Sequence, residues 1–481
     1  MSYSLTMLAV KVTVGCIRYI IKACQKANIK KYLNFQGMSG FFRPGKSNRT
    51  SIEFLLADFI NDRDSKSLLE PFYEKKLDLL ANCQWGEEGP LEKVVRSNND
   101  LKEILKNPKI YKNSICIIEP AKHVGTNPKG NEVKASINIA YLSQYIADCD
   151  SILIPLWETG PLNKELLIEL ITSCTMCFIE GGYPTLKDNK SFDNANINLE
   201  DLQDVAEEII LSRDSSSSPT IFICLGHQLA AQAHIELIKR ATDQILSFLI
   251  NFEGNNYYLK NLRKKCEEII LVGENLCIYK DEKIVANGWN HKCFAVALNL
   301  KPEVGKVDLE KYSHSGLHPS DEFSNLLMSH ELSHEHELGI VEKFITYEKN
   351  LHIEMFHSDV VNQEAILFAN WAFGELHRAV YPMKKKILMS EISWILNLPT
   401  SVEIVCSTRV NGEVCTEVAA TCINYLDYQT QKIRKSFTFQ FHPELLEDLS
   451  TFHKNMPDFK SLKDDDGIRL LSRVMYQMLI D

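Results

Sequence analysis

The chain has 481 residues, of which 45% are hydrophobic and 24% charged, and its formal net charge is −10. This composition excludes a largely disordered chain and allows one large domain with insertions or two domains. The 14 cysteines are scattered without regular spacing and follow no secretory signal. We therefore expect reduced thiols and predict a cytoplasmic protein.

The first 52 residues form a basic arm with nine Lys or Arg and no Asp or Glu. Within it, residues 5–21 are apolar but contain Lys11 and Arg18, so they do not form an uncharged membrane span. We predict an amphipathic helix that packs on the main domain through its apolar face. An organellar presequence and a membrane-surface helix stay open as alternatives, because both favour basic segments that are poor in acidic residues.

The hydrophobic pattern changes along the chain. Residues 1–111 read as a mostly helical N-terminal region, with helices predicted at 52–60, 68–80 and 91–105. From residue 112, short apolar strands alternate with helical segments, which is typical of a parallel α/β sheet. The predicted strands are 114–119, 151–155, 176–179, 220–222, 268–272, 276–279, 294–298, 402–408 and 436–441. The predicted helices are 133–147, 162–173, 198–212, a helix from 226 onward, and 468–480.

A cysteine lies at the predicted junction of a strand and a helix. Cys224 follows the apolar run 220–222, and Leu229, Ala233 and Leu237 recur after it at helical spacing. An α/β protein exposes a nucleophile in this way. A cysteine attacks as its thiolate, which the dipole and unpaired amides of a helix start favour. The pattern indicates thiol chemistry, although a cysteine after a strand is more often a small core residue.

Partners for such a nucleophile are present elsewhere in the chain. His442 and Glu444 alternate after a predicted strand, and a histidine held by a carboxylate is the usual proton shuttle of a catalytic cysteine. The oxyanion of a tetrahedral intermediate needs two backbone amides that approach closely, which favours glycine. Gly181 and Gly182 follow a buried strand and fit this requirement, and the amide of Leu225 is the natural second donor.

Four segments of the chain together resemble the class I, or triad, glutamine amidotransferase family. In the order that the family has them, they are EGGYP at 180–184, ICLGHQ at 223–228, FHSDVV at 356–361 and QFHPE at 440–444.

The resemblance implies the fold and the domain organisation. It covers residues 112–455 and implies a flavodoxin-like three-layer α/β sandwich, with helices on both faces of a mostly parallel sheet and the site at the carboxyl ends of the strands. We predict insertions near 250–350 and 362–395. A helical segment over 456–481 completes the predicted chain.

The resemblance also implies the activity, which is hydrolysis of the glutamine side-chain amide through a Cys-His-Glu triad and a γ-glutamyl thioester. Gln228 and the backbone of the segment containing His357 and Ser358 would hold the glutamine. We expect no metal, no organic cofactor and no nucleic-acid partner. The ammonia is either released or passed to an acceptor, in which case a separate synthetase or acceptor-binding chain is the expected partner.

One residue departs from the family pattern. Phe222 stands two residues before the nucleophile, where the family usually has glycine, and a large side chain there reshapes the turn or occupies the glutamine pocket. A non-catalytic binding module on the same scaffold is therefore one alternative. A γ-glutamyl peptide or amide hydrolase with the same triad is another. The chain contains no GxxxxGK[ST] phosphate loop, so we predict no ATP-binding synthetase domain in it.

A competing motif lies at residues 330–334, where HELSH matches the HExxH pattern. In that pattern two histidines one helical turn apart bind zinc, and the glutamate acts as the base. The flanks here are polar and acidic, whereas an active-site zinc helix is normally buried on one face. Glu354 and Glu364 are the candidates for a third ligand, but neither is identifiable as one. A solvated helix is the preferred interpretation, and a zinc hydrolase is the least favoured alternative.

Overall fold

The fold is taken from a computed structural model. It describes residues 91–121, 125–126, 132–133, 135–159, 162–182, 184–186, 199–212, 219–250, 264, 269–272, 275–280, 283–284, 289–290, 295–312, 351–387, 390–410, 413–426, 433–445 and 466–480. The basic arm, the predicted helices at 52–60 and 68–80, and the HELSH segment lie outside these residues.

The strands alternate with helices through the first half of the described chain. In chain order the strands are β1 (Leu91–Val94), β2 (Ser114–Glu119), β3 (Gly125–Thr126), β4 (Glu132–Val133), β5 (Asp150–Pro155), β6 (Met176–Ile179), β7 (Thr220–Ile223), β8 (Ile269–Val272), β9 (Asn275–Lys280), β10 (Lys283–Ile284), β11 (Trp289–Asn290), β12 (Val296–Lys311), β13 (His352–Val361), β14 (Ser401–Val410), β15 (Glu413–Leu426) and β16 (Ile433–Phe439). The α-helices are α1 (Asn98–Leu105), α2 (Pro108–Tyr111), α3 (Ala135–Tyr145), α4 (Lys164–Ser173), α5 (Leu199–Leu211), α6 (Leu225–Ile250), α7 (Gln363–Val380), α8 (Lys384–Ile387) and α9 (Asp466–Ile480). Two 3₁₀ helices, Tyr381–Met383 and Ser393–Asn397, follow α7.

Ten of the described strands form one sheet in the order β1-β5-β2-β6-β7-β16-β15-β14-β12-β13. The pairings from β1 to β16 are parallel, and those from β16 to β13 are antiparallel. Within the parallel part, the order β5-β2-β6-β7-β16 is the 2-1-3-4-5 order of flavodoxin-like sheets. The predicted fold class is therefore confirmed by the topology.

Helices cover both faces of the sheet and bury two separate apolar cores. On one face, α4, α5, α6 and α7 pack over residues such as Ile118, Ile179 and Phe222. On the other, α3 and α9 pack over residues such as Ile117 and Phe178. Successive residues of β2 and β6 alternate between the two cores because strand side chains alternate between faces. These strands are apolar on both faces, as expected for the buried centre of a three-layer sandwich.

Two smaller sheets of the described residues are separate from the ten-stranded sheet. Strands β8, β10 and β11 each pair antiparallel with β9, and β3 pairs with β4. The sheet around β9 lies between α6 and β12 in the chain, within the segment where an insertion is predicted. No helix in the described part of the chain combines the length and the hydropathy needed to span a bilayer.

Most predicted elements of the α/β region are confirmed. Strands β2 and β6 have the predicted bounds, and β5, β7, β8, β9, β14 and β16 differ from theirs by a few residues at one or both ends. Helices α3, α4, α5, α6 and α9 all occur where the periodicity predicts them. These segments were predictable because each is a distinct apolar or amphipathic run of the length typical of its element.

The helix predicted over 91–105 is wrong in its first half. Leu91–Val94 is a strand parallel to β5 at the edge of the sheet. The helix begins only at Asn98, because the side chain of Ser97 accepts a hydrogen bond from the amide of Asp100 and caps it. Strand β1 forms by pairing with β5, which is distant in sequence, so the local pattern did not reveal it.

The antiparallel strands were predicted too short or missed. The strand expected at 294–298 is β12, which continues to Lys311 because it pairs with both β13 and β14. Strands β13 and β15 carry polar residues at many positions and show no simple alternation. Strand β13 pairs with β12 at the edge of the sheet, and β15 pairs with β14 and β16. A local pattern does not reveal such pairings.

Candidate active site

Cys224 occupies a tight turn between β7 and α6, as predicted. Its backbone φ is 50°, a left-handed conformation that costs a non-glycine residue roughly 1–2 kcal/mol. The turn is held on both sides, because the amide of Cys224 donates to the carbonyl of Phe439 at 2.7 Å and the amide of Gln228 donates to the carbonyl of Cys224 at 3.1 Å. The sulfur is thereby presented at the carboxyl end of the parallel sheet, beside the start of a helix.

Close packing explains the glycine after this turn. A Cβ on Gly226 would lie 2.5 Å from the carbonyl oxygen of Ile179, well inside van der Waals contact. Only glycine lets the first turn of α6 approach β6 this closely.

His442 and Glu444 form a buried pair next to the cysteine. His442 Nδ1 and Glu444 Oε1 are 2.7 Å apart, and the two side chains are 1% and 0% exposed. The side chain of His442 also forms a hydrogen bond with the side chain of Cys224. The structure therefore brings the three predicted triad residues into one chain of contacts.

The electrostatics of His442 favour its charged form. Burial lowers the pKa of His442, but the nearby Glu444 carboxylate and the Cys224 side chain outweigh burial and raise it well above its usual value. A protonated imidazole beside the sulfur is the counter-ion that a thiolate needs.

Of the two glycines of the oxyanion prediction, Gly181 lies against His442 and Cys224, and Gly182 lies against Ala121 and Leu225. A Cβ on Gly181 would be 2.8 Å from His442 Cε1 and 3.0 Å from Cys224 Cβ. A Cβ on Gly182 would be 2.8 Å from Ala121 Cβ and 3.3 Å from a methyl of Leu225. Leu225 is the first residue of α6, so its amide has no partner within the helix. The predicted donors therefore lie beside the nucleophile.

Gln228 braces the site. Its Nε2 donates to the backbone carbonyl of Asp359 at 3.2 Å and lies 3.4 Å from Oε1 of Gln440. Nε2 of Gln440 in turn points at the sulfur of Cys224, at 3.9 Å. One amide side chain thus joins the nucleophile's helix to β13 and to the segment after β16, which carries the histidine.

The two other predicted substrate residues lie on β13. The ring of His357 is buried, with Nδ1 2.9 Å from the carbonyl of Asp359 and Nε2 3.5 Å from the hydroxyl of Thr416. This ring therefore fixes the conformation of its own strand. Ser358 lies between His357 and Asp359 in the same strand. The hydroxyl of Thr185, in the loop after the two glycines, hydrogen-bonds the carboxylate of Asp359.

Phe222 is accommodated in the core. Its side chain is fully buried among the residues under α4, α5 and α6, whereas Cys224 belongs to the core on the other face of the sheet. Strand β7 keeps regular pairing with both neighbours at this position. The large side chain therefore coexists with the sharp turn at Cys224.

Three residues near the predicted triad are not among the predicted site residues. Gln440 contacts the sulfur, Asp359 contacts the loop after the glycines, and Glu180 is a fully buried carboxyl directly before them. Each belongs to a segment that the sequence singles out. For Glu180 and Gln440 the signal was a polar residue directly after a strand with an apolar end, where a core residue is expected. Asp359 lies within β13 and gave no such signal.

Among the described residues, no group of three His, Cys, Asp or Glu side chains is arranged to hold a metal ion. The competing HELSH motif lies outside these residues.

Comparisons with known proteins do not identify a family for this chain. No family model matches the chain, and no curated protein matches it. Among solved structures, the chain is similar to the glutaminase domain of a Trypanosoma brucei CTPS with bound acivicin. The match has 12% identity and a TM-score of 0.34, and it covers 75% of this chain and 92% of that one. Likeness at this level does not establish a shared activity.

Proposed function

We propose that the protein hydrolyses the side-chain amide of glutamine with Cys224 as nucleophile, His442 as proton shuttle and Glu444 as the residue that orients the histidine. The observation that carries this proposal is the unbroken buried contact from Cys224 through His442 to Glu444, with Gly181 against the first two. A cysteine that served only the core would not need a buried imidazole and carboxylate beside it.

In the first half of the reaction, the Cys224 thiolate attacks the amide carbon and forms a sulfur–carbon bond. The negative charge moves to the carbonyl oxygen, where the amides of Gly182 and Leu225 stabilise it. The imidazolium of His442 protonates the nitrogen, the carbon–nitrogen bond breaks, and ammonia leaves. The site then holds a γ-glutamyl thioester.

In the second half, neutral His442 takes a proton from water, and the resulting hydroxide attacks the thioester carbon. Glutamate leaves, and the protonated imidazole and the thiolate are restored. Glu444 keeps the imidazole in one orientation and stabilises its positive charge through both steps. The reaction needs no metal or organic cofactor.

We assign substrate binding to β13. The backbone around His357 and Ser358 holds the α-amino acid end of glutamine, and Gln228 keeps this strand in place through the carbonyl of Asp359. In this proposal Gln228 acts on the strand rather than on the substrate. The ammonia is released or passed to an acceptor bound by another chain.

The test is ammonia release from glutamine by the purified full chain. We expect Cys224→Ala to abolish it and His330→Ala, in the HELSH motif, to leave it intact. Cys149→Ser is the matched control, because Cys149 is also buried but lies at the turn before β5.

Other outcomes would favour other functions. Cleavage of γ-glutamyl peptides without release from glutamine would indicate a γ-glutamyl hydrolase with the same triad. Loss of activity on His330→Ala or on adding a chelator would overturn the proposal in favour of a zinc hydrolase. Binding of glutamine without turnover would indicate a binding module.

A further inference from the structure

A buried carboxyl that the proposed triad does not use lies next to it in the sequence of the glycine turn. Glu180 is fully buried, directly before Gly181, and neither of its side-chain oxygens has a hydrogen-bond partner among the described residues. An unsatisfied buried carboxyl is costly and needs an explanation.

The sheet places Glu180 among other carboxyls. The register of β2 and β6 pairs Ile118 with Ile179, so Glu119 and Glu180 come next to each other at the ends of these strands and project to the same face. Glu119 already accepts a hydrogen bond from the indole of Trp157 at 3.0 Å. It therefore has a partner that Glu180 lacks.

One oxygen of the Glu444 carboxylate also lacks a hydrogen-bond partner among the described residues. Its Oε1 contacts His442, whereas its Oε2 is buried and has no hydrogen-bond partner in the described part of the chain. A protonated carboxyl carries one O–H donor, and an ionised carboxylate oxygen is an acceptor. Glu180 lacks an acceptor for such a donor, and Glu444 lacks a donor for such an acceptor.

We propose that Glu180 is a positioning residue of the triad: it stays protonated beside Glu444 and supplies the donor that the second oxygen of that carboxylate lacks, directly or through one buried water molecule. This keeps a single negative charge behind His442 and holds Glu444 in its orientation. The inference rests on the proposed triad.

The charges around Glu180 agree with this role. Burial raises its pKa first, repulsion from Glu119 and then from Glu444 raises it further, and His442 opposes the shift, so that the pKa lies well above its usual value. From the helical layer, the uncharged side chain of Asn138 in α3 donates its amide to the backbone carbonyl of Glu444 at 2.7 Å. At alkaline pH, loss of the proton from Glu180 would place a second negative charge behind the imidazole and the thiolate.

Two substitutions separate this role from simple space-filling. Glu180→Gln keeps a donor but cannot ionise, and Glu180→Leu has neither property. We expect Glu180→Gln to retain kcat for glutamine at neutral pH to within about threefold. We expect Glu180→Leu to lower kcat about tenfold with little change in KM, as for loss of one hydrogen bond to a charged group. Equal kcat in the two variants would overturn the proposal.

A second readout does not depend on glutamine being the substrate. The rate at which iodoacetamide alkylates Cys224, followed by mass spectrometry of its peptide, is measured against pH in the wild type, Glu180→Gln and a control, Glu207→Gln. Glu207 is another buried glutamate with a raised pKa, of about 7, but it lies on α5 against Arg240.

We expect the pH profile of Cys224 alkylation to change above neutral pH only in Glu180→Gln. Identical profiles in all three proteins would overturn the role of Glu180 even if the glutaminase activity is found, and a changed profile would stand even if glutamine is not the substrate.

Discussion

The amide of Cys224 donates a 2.7 Å hydrogen bond to the carbonyl of Phe439, three residues before His442. This bond continues the parallel register in which Ile223 lies opposite Phe439. Two segments that are far apart in the chain therefore meet at the carboxyl ends of two neighbouring central strands. His442 follows the end of β16, next to the position where Cys224 follows the end of β7. The β7–β16 pairing is what assembles the site.

Gly181→Ala should damage the site more than the fold. The new methyl group would lie 2.8 Å from His442 Cε1 and 3.0 Å from Cys224 Cβ, so the imidazole or the turn at Cys224 must shift. Displacements of this size at a catalytic group cost about a hundredfold in rate. We expect kcat for glutamine to fall by about that factor, measured beside the melting temperature. A variant with wild-type kcat would place Gly181 outside the site.

Gly226→Ala should destabilise the protein. The added Cβ would lie 2.5 Å from the carbonyl oxygen of Ile179, which is backbone and has no freedom to rotate away. Overpacking of this kind costs about 1–3 kcal/mol. Urea unfolding measures it, and an unchanged free energy of unfolding would mean that α6 does not pack on β6 as described.

Glu444→Gln should lower both activity and stability, the latter in a pH-dependent way. The pKa of His442 is raised above its ordinary 6.5, mainly by Glu444 and Cys224 acting against burial. The stabilisation from the charged pair is therefore complete below pH 6.5 and is lost as the pH rises through the folded-state pKa. We expect the loss in free energy of unfolding to be larger at pH 6 than at strongly alkaline pH, with kcat reduced at least about a hundredfold at neutral pH.

The control for this experiment is Asp308→Asn. Asp308 and His352 are 2.8 Å apart, but their side chains are 52% and 39% exposed, so water screens the pair and its removal should cost little. A loss for Glu444→Gln that is as small as that of the control at every pH would contradict a buried charged pair.

His234→Leu should make the protein more resistant to acid. Burial lowers the pKa of His234 to about 3, below the ordinary value of 6.5, and neither ring nitrogen has a hydrogen-bond partner in the described residues. The wild type therefore keeps the full contribution of neutral His234 above pH 6.5 and loses it as the pH falls towards 3. At pH 5 this loss is about 2 kcal/mol.

Urea unfolding at pH 5 and pH 8 tests this. The leucine variant should show a smaller difference between the two pH values than the wild type. Parallel changes in both proteins would mean that the imidazole of His234 is not buried in its neutral form.

The flavodoxin-like sheet was expected from the resemblance of four motifs, because strand order depends on pairings between segments that are distant in the chain. The elbow and most of the α/β elements were predictable from local sequence, namely an apolar run, the helical spacing after it and the glycine in the turn. The brace from Gln228 to Asp359 and the burial of Glu180 were not. They depend on strands that become neighbours only in the sheet, and no local pattern gives their partners. Phe222 shows the same limit, because its own sequence does not tell which face of β7 it occupies.

The most direct test of the account is to look for the covalent intermediate. The full chain is mixed with glutamine and quenched in acid, and the peptide that contains Cys224 is analysed by mass spectrometry. We predict one γ-glutamyl group on Cys224 in the wild type and none in Cys224→Ala. Ammonia release in the wild type without any adduct on Cys224, or an adduct on another cysteine, would contradict the assignment of Cys224 as the nucleophile.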